Sequence, residues 1–284
     1  MWIELERVDK KLGIEDQAPA MIRYQPSLLR SIALQMRVLH ALLMREVITR
    51  YGRQNLGVLW VFVEPMIFTG GVTLLWTAIG MNHGSSIPIV AFAVTGYSSV
   101  LLWRNCAGLS IGAIQSNIAL LHHRNVRVID VILVRCVIEI AGVATCFSIL
   151  SGLFIFFGWM TYPIDPLQVV FGFVMLAWFG TALALTIAAA TTFSHVVEKL
   201  WAPATYLLVP LAGAAFMADW LPPKFREVVL WLPMVHGVEI LREGFFGNVV
   251  RTHYDVGYMA SICMLLTLFG LHLVREAGLR IEAK

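Results

Sequence analysis

Charge is scarce in this chain. Asp, Glu, Lys and Arg make up 14% of its 284 residues, where a soluble domain carries about 25%. Lysine is rarest: only Lys10, Lys11, Lys199, Lys224 and Lys284 occur, and none follows the glycines of a G-x-x-x-x-G-K-[ST] loop. That absence excludes the common phosphate cradle for ATP. No C-x-x-C and no H-E-x-x-H is present, so zinc and metalloprotease chemistry have no support. The four cysteines (Cys106, Cys136, Cys146, Cys263) are scattered through apolar segments and are expected to be small buried hydrophobes. Residues 1–27 alternate charge and hold no apolar core of a signal peptide; the expectation is a cytoplasmic leader.

What is present is apolar. Hydrophobic residues make up 58% and the mean hydropathy is +0.76, which predicts an all-α integral membrane protein. A hydrocarbon core of about 30 Å needs about 20 residues of helix. Six segments qualify or nearly so: roughly 56–81, 87–103, 131–159, 167–193, 201–217 and 256–274. The second could continue helically to about 120. The fourth begins with Asp165-Pro166, an N-cap residue before a first-turn proline. The fifth holds Pro203 and Pro210 and is expected to kink. Arg and Lys concentrate before residue 56, in the second loop (Arg124, Arg127), at Lys199 and in the tail (Arg275, Arg280, Lys284). The positive-inside rule then places both termini in the cytoplasm. The organisation expected is a leader 1–27, an interface helix 28–55, a six-span domain 56–275 and a tail 276–284.

Two stretches do not span. In 28–50, Leu28, Ile32, Met36, Leu39, Leu43 and Val47 recur at steps of four and three, the pattern of a helix lying in the membrane interface. Glu46 interrupts its apolar arc and could point at a partner. In 219–250, short apolar runs are broken by proline, glycine and charge. They predict two short helices dipping into the outer interface, with Trp220 and Trp231 as anchors.

Several polar residues stand out inside apolar context. Glu64-Pro65 marks either a helix start or a residue lining a solvent-filled path. Arg135 and Glu139 are four apart, which favours an intrahelical ion pair; a pairing with another span is the alternative. Arg104 either snorkels to headgroups or meets an anionic substrate. Gly108-Leu109-Ser110-Ile111-Gly112 matches G-x-S-x-G, but its flanks are helical on both sides, so a nucleophile elbow is rejected in favour of a helix-packing site. Trp76, Trp103, Trp159 and Trp201 sit at span ends, as an aromatic belt would. Tyr97, Trp178 and Tyr206 lie deeper and could line a channel. His122-His123 are adjacent, so their side chains diverge on a helix and make a poor metal pair.

Four separated blocks carry a family resemblance: "RYGRQNLG" at 50–57 with Trp60 and Glu64-Pro65, "TGYSSVLLWRN" at 95–105, "LLHHRNVRVIDVILVR" at 120–135, and "WLPMVHGVEILREGFFG" at 231–247. Over about residues 28–275 the chain resembles the permeases of ABC-2 type polysaccharide exporters, most closely the Gram-negative capsule branch. The resemblance implies a homodimeric channel in the bacterial inner membrane, exporting a lipid-linked, acidic glycan. A separate ATPase subunit would hold ATP and magnesium; the chain itself would carry no cofactor, and no nucleic acid is implied. Periplasmic and outer-membrane export proteins would be further partners. By block, Arg45, Glu46, Arg50 and Tyr51 would contact the ATPase. His122, His123, Arg124 and Asn125 would form one coupling turn, and His195, Glu198 and Lys199 a second. Trp220, Trp231, His236, Glu239 and Arg242 would belong to an external gate. Glu64, Tyr97, Trp103, Arg104, Trp178 and Tyr206 are the channel candidates. The competing expectations are an exporter of lipid or drug in the same family and a membrane-embedded lipid or sugar transferase.

Overall fold

The computed structural model describes residues 28–51, 59–80, 87–121 and 126–282, and all regular secondary structure there is helical. The helices are α1 Leu28–Tyr51, α2 Trp60–Ile79, α3 Ile89–Ser110, α4 Ile118–Leu121, α5 Val128–Phe156, α6 Pro166–Phe193, α7 His195–Leu211, α8 Pro223–Val229, α9 Pro233–Phe246 and α10 Val256–Glu282. A first compact unit ends at Arg37 and includes the first turns of α1; a second runs from Val38. The leader, Gly52, Gly57 and the turn 122–125 lie outside the described residues, as do the side chains of Arg50 and Tyr51.

Among the described residues, three helical stretches are long and apolar enough to cross a membrane: Phe62–Ile79, Pro166–Phe193 and Val256–Ile281. At 1.5 Å per residue, α6 is about 42 Å long. It is the centre of the second unit, with α3, α9 and α10 packed along it and α5 and α7 beside it. Its composition explains why. Gly172, Gly180, Ala182, Ala184, Ala188 and Ala189 are buried on α6, and small residues let helix backbones approach closely. A Cβ on Gly172 would lie 2.8 Å from the Leu241 backbone nitrogen on α9, and one on Gly180 would lie 2.9 Å from the Trp103 Cα on α3. The start of α6 is as expected: Asp165 accepts from the Leu167 and Gln168 amides at 3.0 and 3.1 Å.

Other elements differ from expectation. The second apolar segment does not continue as one helix to residue 120. It ends at Ser110, and the chain turns through Gly112 at φ +65°, a conformation that disfavours a side chain. Gly112 is therefore a turn residue; among the described residues only Gly108 of the pair faces a neighbour, Trp201. Ser110 is buried and donates to the Cys106 carbonyl at 2.7 Å, which agrees with rejecting it as a nucleophile. No helix starts at Pro65. α2 begins at Trp60, runs through Pro65, and leaves Glu64 exposed. Trp76 and Trp103 are not belt residues. Trp103 is fully buried against Phe179, and Trp76 stacks on Phe92. Burial of all four cysteines is as expected.

The 219–250 stretch does form two short helices, α8 and α9, but α9 is not an interfacial element. Its residues Met234–Leu241 are all buried, between α6, α3 and α10. Trp231 is 78% exposed, whereas Trp220 is half-buried and stacks on Phe92 at 5.1 Å. The aromatic that could anchor at a surface is Trp231 alone of the two.

Candidate functional site

Charged side chains gather at both ends of α3. At the Ser110 end, α1 meets α5 and the turn after α3. Leu42 is buried with Val134 and Ile138, and Leu39, Leu43 and Val47 pack around them. Glu46 falls in the middle of this face and is itself buried. Its carboxylate lies 2.8 Å from Arg135 Nε on α5. The same guanidinium donates to the Leu109 carbonyl at 2.9 Å and to Ser116 Oγ at 3.1 Å. One position earlier on α1, Arg45 Nη1 donates to Asn117 Oδ1 at 2.8 Å. Thus Arg135 reaches a second helix, the alternative to a purely intrahelical pair, and Glu139 takes a long contact from Asn105 Nδ2 at 3.5 Å. The interruption in the α1 stripe is the residue that ties α1 to the bundle.

At the other end of α3, Arg242 on α9 is completely buried. Nη1 donates to the carbonyls of Gly213 and Phe216 at 2.6 Å each, and Nη2 to Ala214 at 2.7 Å. The three carbonyls belong to the connector that leaves α7, whose last turn has no further helical amides to bond. The guanidinium also lies 3.8 Å from the centre of the Phe92 ring on α3. One turn before Arg242, Glu239 grips the same connector with opposite polarity. Its oxygens accept from the Ala218 amide and the His253 amide at 3.1 Å each. Burial pushes the Glu239 carboxyl up, opposed by these amides and by Arg242. Burial pulls Arg242 down, opposed by Glu239. Each buried charge is the other's compensation.

Around this pair lie further polar contacts. His253 Nε2 is 2.9 Å from Asp219 Oδ1, and Arg226 lies 3.6 Å from the same carboxylate. His236 bridges the Leu230 carbonyl at 2.7 Å and the Asp255 amide at 2.9 Å; burial lowers its pKa. The hydrogen bond from His253 holds the Asp219 carboxyl below its ordinary value, with Arg226 and Arg251 adding to the effect. A depressed carboxylate contributes stability that is present above its unfolded value of about 3.9 and lost as pH falls through the folded one. Asp219→Asn is therefore expected to lower the melting temperature of the purified protein at pH 7, with the gap to wild type closing as pH drops below about 4. A gap constant down to pH 3 would assign the effect to shape and not to charge.

A profile of the ABC-2 type transporter family matches residues 37–246, which takes in α1 from Arg37 through α9, including Glu46, Arg135, Glu239 and Arg242. The chain belongs to the ABC-2 type transporter family. As an ABC-2 permease it is the membrane subunit of a transporter and not an enzyme. It is similar to the capsule polysaccharide export inner-membrane protein CtrC of Neisseria meningitidis serogroup B, with 40% identity over 91% of this chain and 98% of the relative. It is 38% identical to BexB of Haemophilus influenzae, named likewise, over 91% of this chain and 97% of that one. A more distant relative is the polysialic acid transport protein KpsM of Escherichia coli, at 27% over 83% and 91%.

In this ABC-2 permease the expected site residues fall into separate places. Glu239 and Arg242 hold the same connector with Trp220 beside it, while His236 on the same helix bonds the Leu230 carbonyl and the Asp255 amide, and Trp231 is exposed. Arg45 and Glu46 share the other cluster. His195, Glu198 and Lys199 are exposed at the start of α7, where His195 and Glu198 are 3.8 Å apart and Ser194 caps the helix by accepting from Val196. The channel candidates are not brought together. Glu64 is exposed on α2, and Tyr206 is 75% exposed on α7. Arg104 is half-buried on α3. Tyr97 packs edge-on to Phe68 and Trp76, and Trp178 donates to Thr267 on α10 at 3.1 Å. Trp103 has no exposed surface, which removes it from any lining in this conformation. Asn117, Ser116, Phe92, Asp219 and His253 were not singled out from the sequence. Asn117 and Arg45 are 72 positions apart, Asp219 and His253 34, Ser116 and Arg135 19, and Phe92 and Arg242 150, separations that leave no local pattern.

Proposed function

We propose that this permease exports a lipid-linked capsular polysaccharide, acidic in character, across a bacterial inner membrane, driven by a separate ABC ATPase. α2, α3, α5, α6, α7 and α10 are the six spans, with both termini cytoplasmic. α8 and α9 lie between the last two spans on the outer side and form the gate region. Two copies build the channel, and α1 is the lever through which the ATPase acts. The observation that carries this reading is the similarity to capsule polysaccharide export proteins along nine-tenths of the chain. The tie of Arg45 and Glu46 to the bundle supports the lever: a helix bonded to two neighbours transmits displacement, whereas a loosely tethered one does not. Outside the membrane, periplasmic and outer-membrane export proteins would receive the glycan.

The test is deletion of the gene in its own host, with complementation by wild type and by an Arg50→Ala/Tyr51→Ala variant. Loss of surface polymer on deletion and its return with wild type support the reading. The variant is expected to restore neither polymer nor co-purification of the ATPase. Unchanged polymer after deletion, with altered lipid or drug efflux, would instead assign the chain to another cargo of the same family.

A further inference from the structure

Arg242 sits where two helices end. On one side are the Gly213, Ala214 and Phe216 carbonyls leaving α7; on the other are Phe92 and Gly96 of α3. A Cβ on Gly96 would lie 2.4 Å from the Ala214 carbonyl oxygen and 2.7 Å from Arg242 Nη2, so glycine is what lets α3 close on the clamp. Both helices run away from Arg242 toward the end of the bundle where α3 finishes. α3 runs about 20 Å from Gly96 to Leu109 and α7 about 24 Å from Leu211 to His195. The far end of α3 is held by Arg135, which also holds Glu46 of α1. The far end of α7 is the exposed turn His195–Lys199.

We infer that Arg242 is a positioning residue for transport: it makes α9 move together with α3 and α7, so that displacement applied at their far ends reaches the gate region. The inference rests on the function proposed above and adds the residue that joins the two ends. A purely structural role explains the site less well. Three hydrogen bonds to carbonyls satisfy only part of a guanidinium, and Nε is buried with no acceptor among the described residues. A buried ion pair is weak as a stabiliser, since an apolar pair of similar size commonly does as well or better, although loss of one partner alone leaves the other charge uncompensated. A fork that binds three carbonyls of one segment, while a ring from another helix covers its face, fixes the relative position of three helices at once.

The experiment uses the permease together with its ATPase in proteoliposomes and in cells. Arg242→Met keeps much of the side-chain length and removes the donors; Arg242→Lys keeps a charge without the fork. Phe92→Leu removes the ring over the guanidinium and leaves residue 242 an arginine. The expected result for Arg242→Met and Phe92→Leu is a complex that assembles and hydrolyses ATP within about twofold of wild type, while surface polymer falls roughly tenfold. Arg242→Lys is expected to fall between. Parallel loss of hydrolysis and export in all the accumulating variants, or normal export in Arg242→Met or Phe92→Leu, would overturn the inference. If Arg242→Met does not accumulate, Phe92→Leu decides by the same ratio. Failure of the parent reading is separate, since it appears as unchanged polymer in the deletion strain.

Discussion

Glu46→Ala is expected to destabilise the purified permease by about 3 kcal/mol, the lower end for breaking a buried ion pair. The value is at the lower end because Arg135 keeps its bonds to the Leu109 carbonyl and to Ser116. The loss arises from one desolvated partner left behind, not from the attraction alone. Arg135→Met is expected to cost as much or more, since it also frees the Leu109 carbonyl at the end of α3. Made together, the two substitutions are expected to cost less than their sum by about 1–2 kcal/mol, because the second change removes the orphan left by the first. Thermal unfolding of the four proteins in one detergent measures this. Additivity within error would mean that Glu46 and Arg135 do not act as a pair. The same substitutions are expected to reduce export before they reduce accumulation, because α1 loses its tie while the α6-centred core stays intact.

Gly172→Leu and Gly244→Leu are expected to abolish accumulation of folded protein. The geometry is unforgiving at both. At Gly172 the first carbon of a side chain already meets the Leu241 backbone at 2.8 Å; at Gly244 it meets the Val169 nitrogen at 2.6 Å. Neither obstacle is the tip of a flexible side chain, so the helix itself must shift. Overpacking costs about 1–3 kcal/mol where side chains can adjust, and here they cannot. Gly244 also accepts the Asp165 amide at 2.8 Å, so displacing α9 disturbs the capped start of α6. Gly152→Ala on α5, where a Cβ would meet nothing within 4 Å among the described residues, is the control. It is expected to be neutral or to stabilise by up to about 1 kcal/mol through helix propensity. Folded yield by size-exclusion chromatography distinguishes the three. A monodisperse Gly172→Leu permease at normal yield would show that α6 and α9 do not pack this closely.

Periodicity and hydropathy made the helices legible. The apolar runs that became α2, α6 and α10 stand out because a membrane-length helix must be apolar along its whole length. Asp165-Pro166 announced its helix start because capping is local chemistry. Glu46 was visible as a fault in an amphipathic stripe, and Arg135 and Glu139 as charges in an apolar run. Their partners were not visible. A stripe shows which face is buried, but a carboxylate on that face is compatible with any cation that folding brings near. Likewise 219–250 was legible as two short helices broken by proline, yet not as one exposed helix and one core helix. Short apolar runs look the same in an interface and in a protein interior.

The amino-acid sequence by itself determined the class of the molecule, the helical segments and the charges that needed partners, because backbone hydrogen bonding in an apolar medium permits little else. Only the tertiary structure decided that Glu46 meets Arg135, that Trp103 is enclosed, and that Arg242 gathers three carbonyls and a phenyl ring. Those pairings join residues far apart in the chain, and no local energy term distinguishes the right partner from the wrong one until the helices are packed.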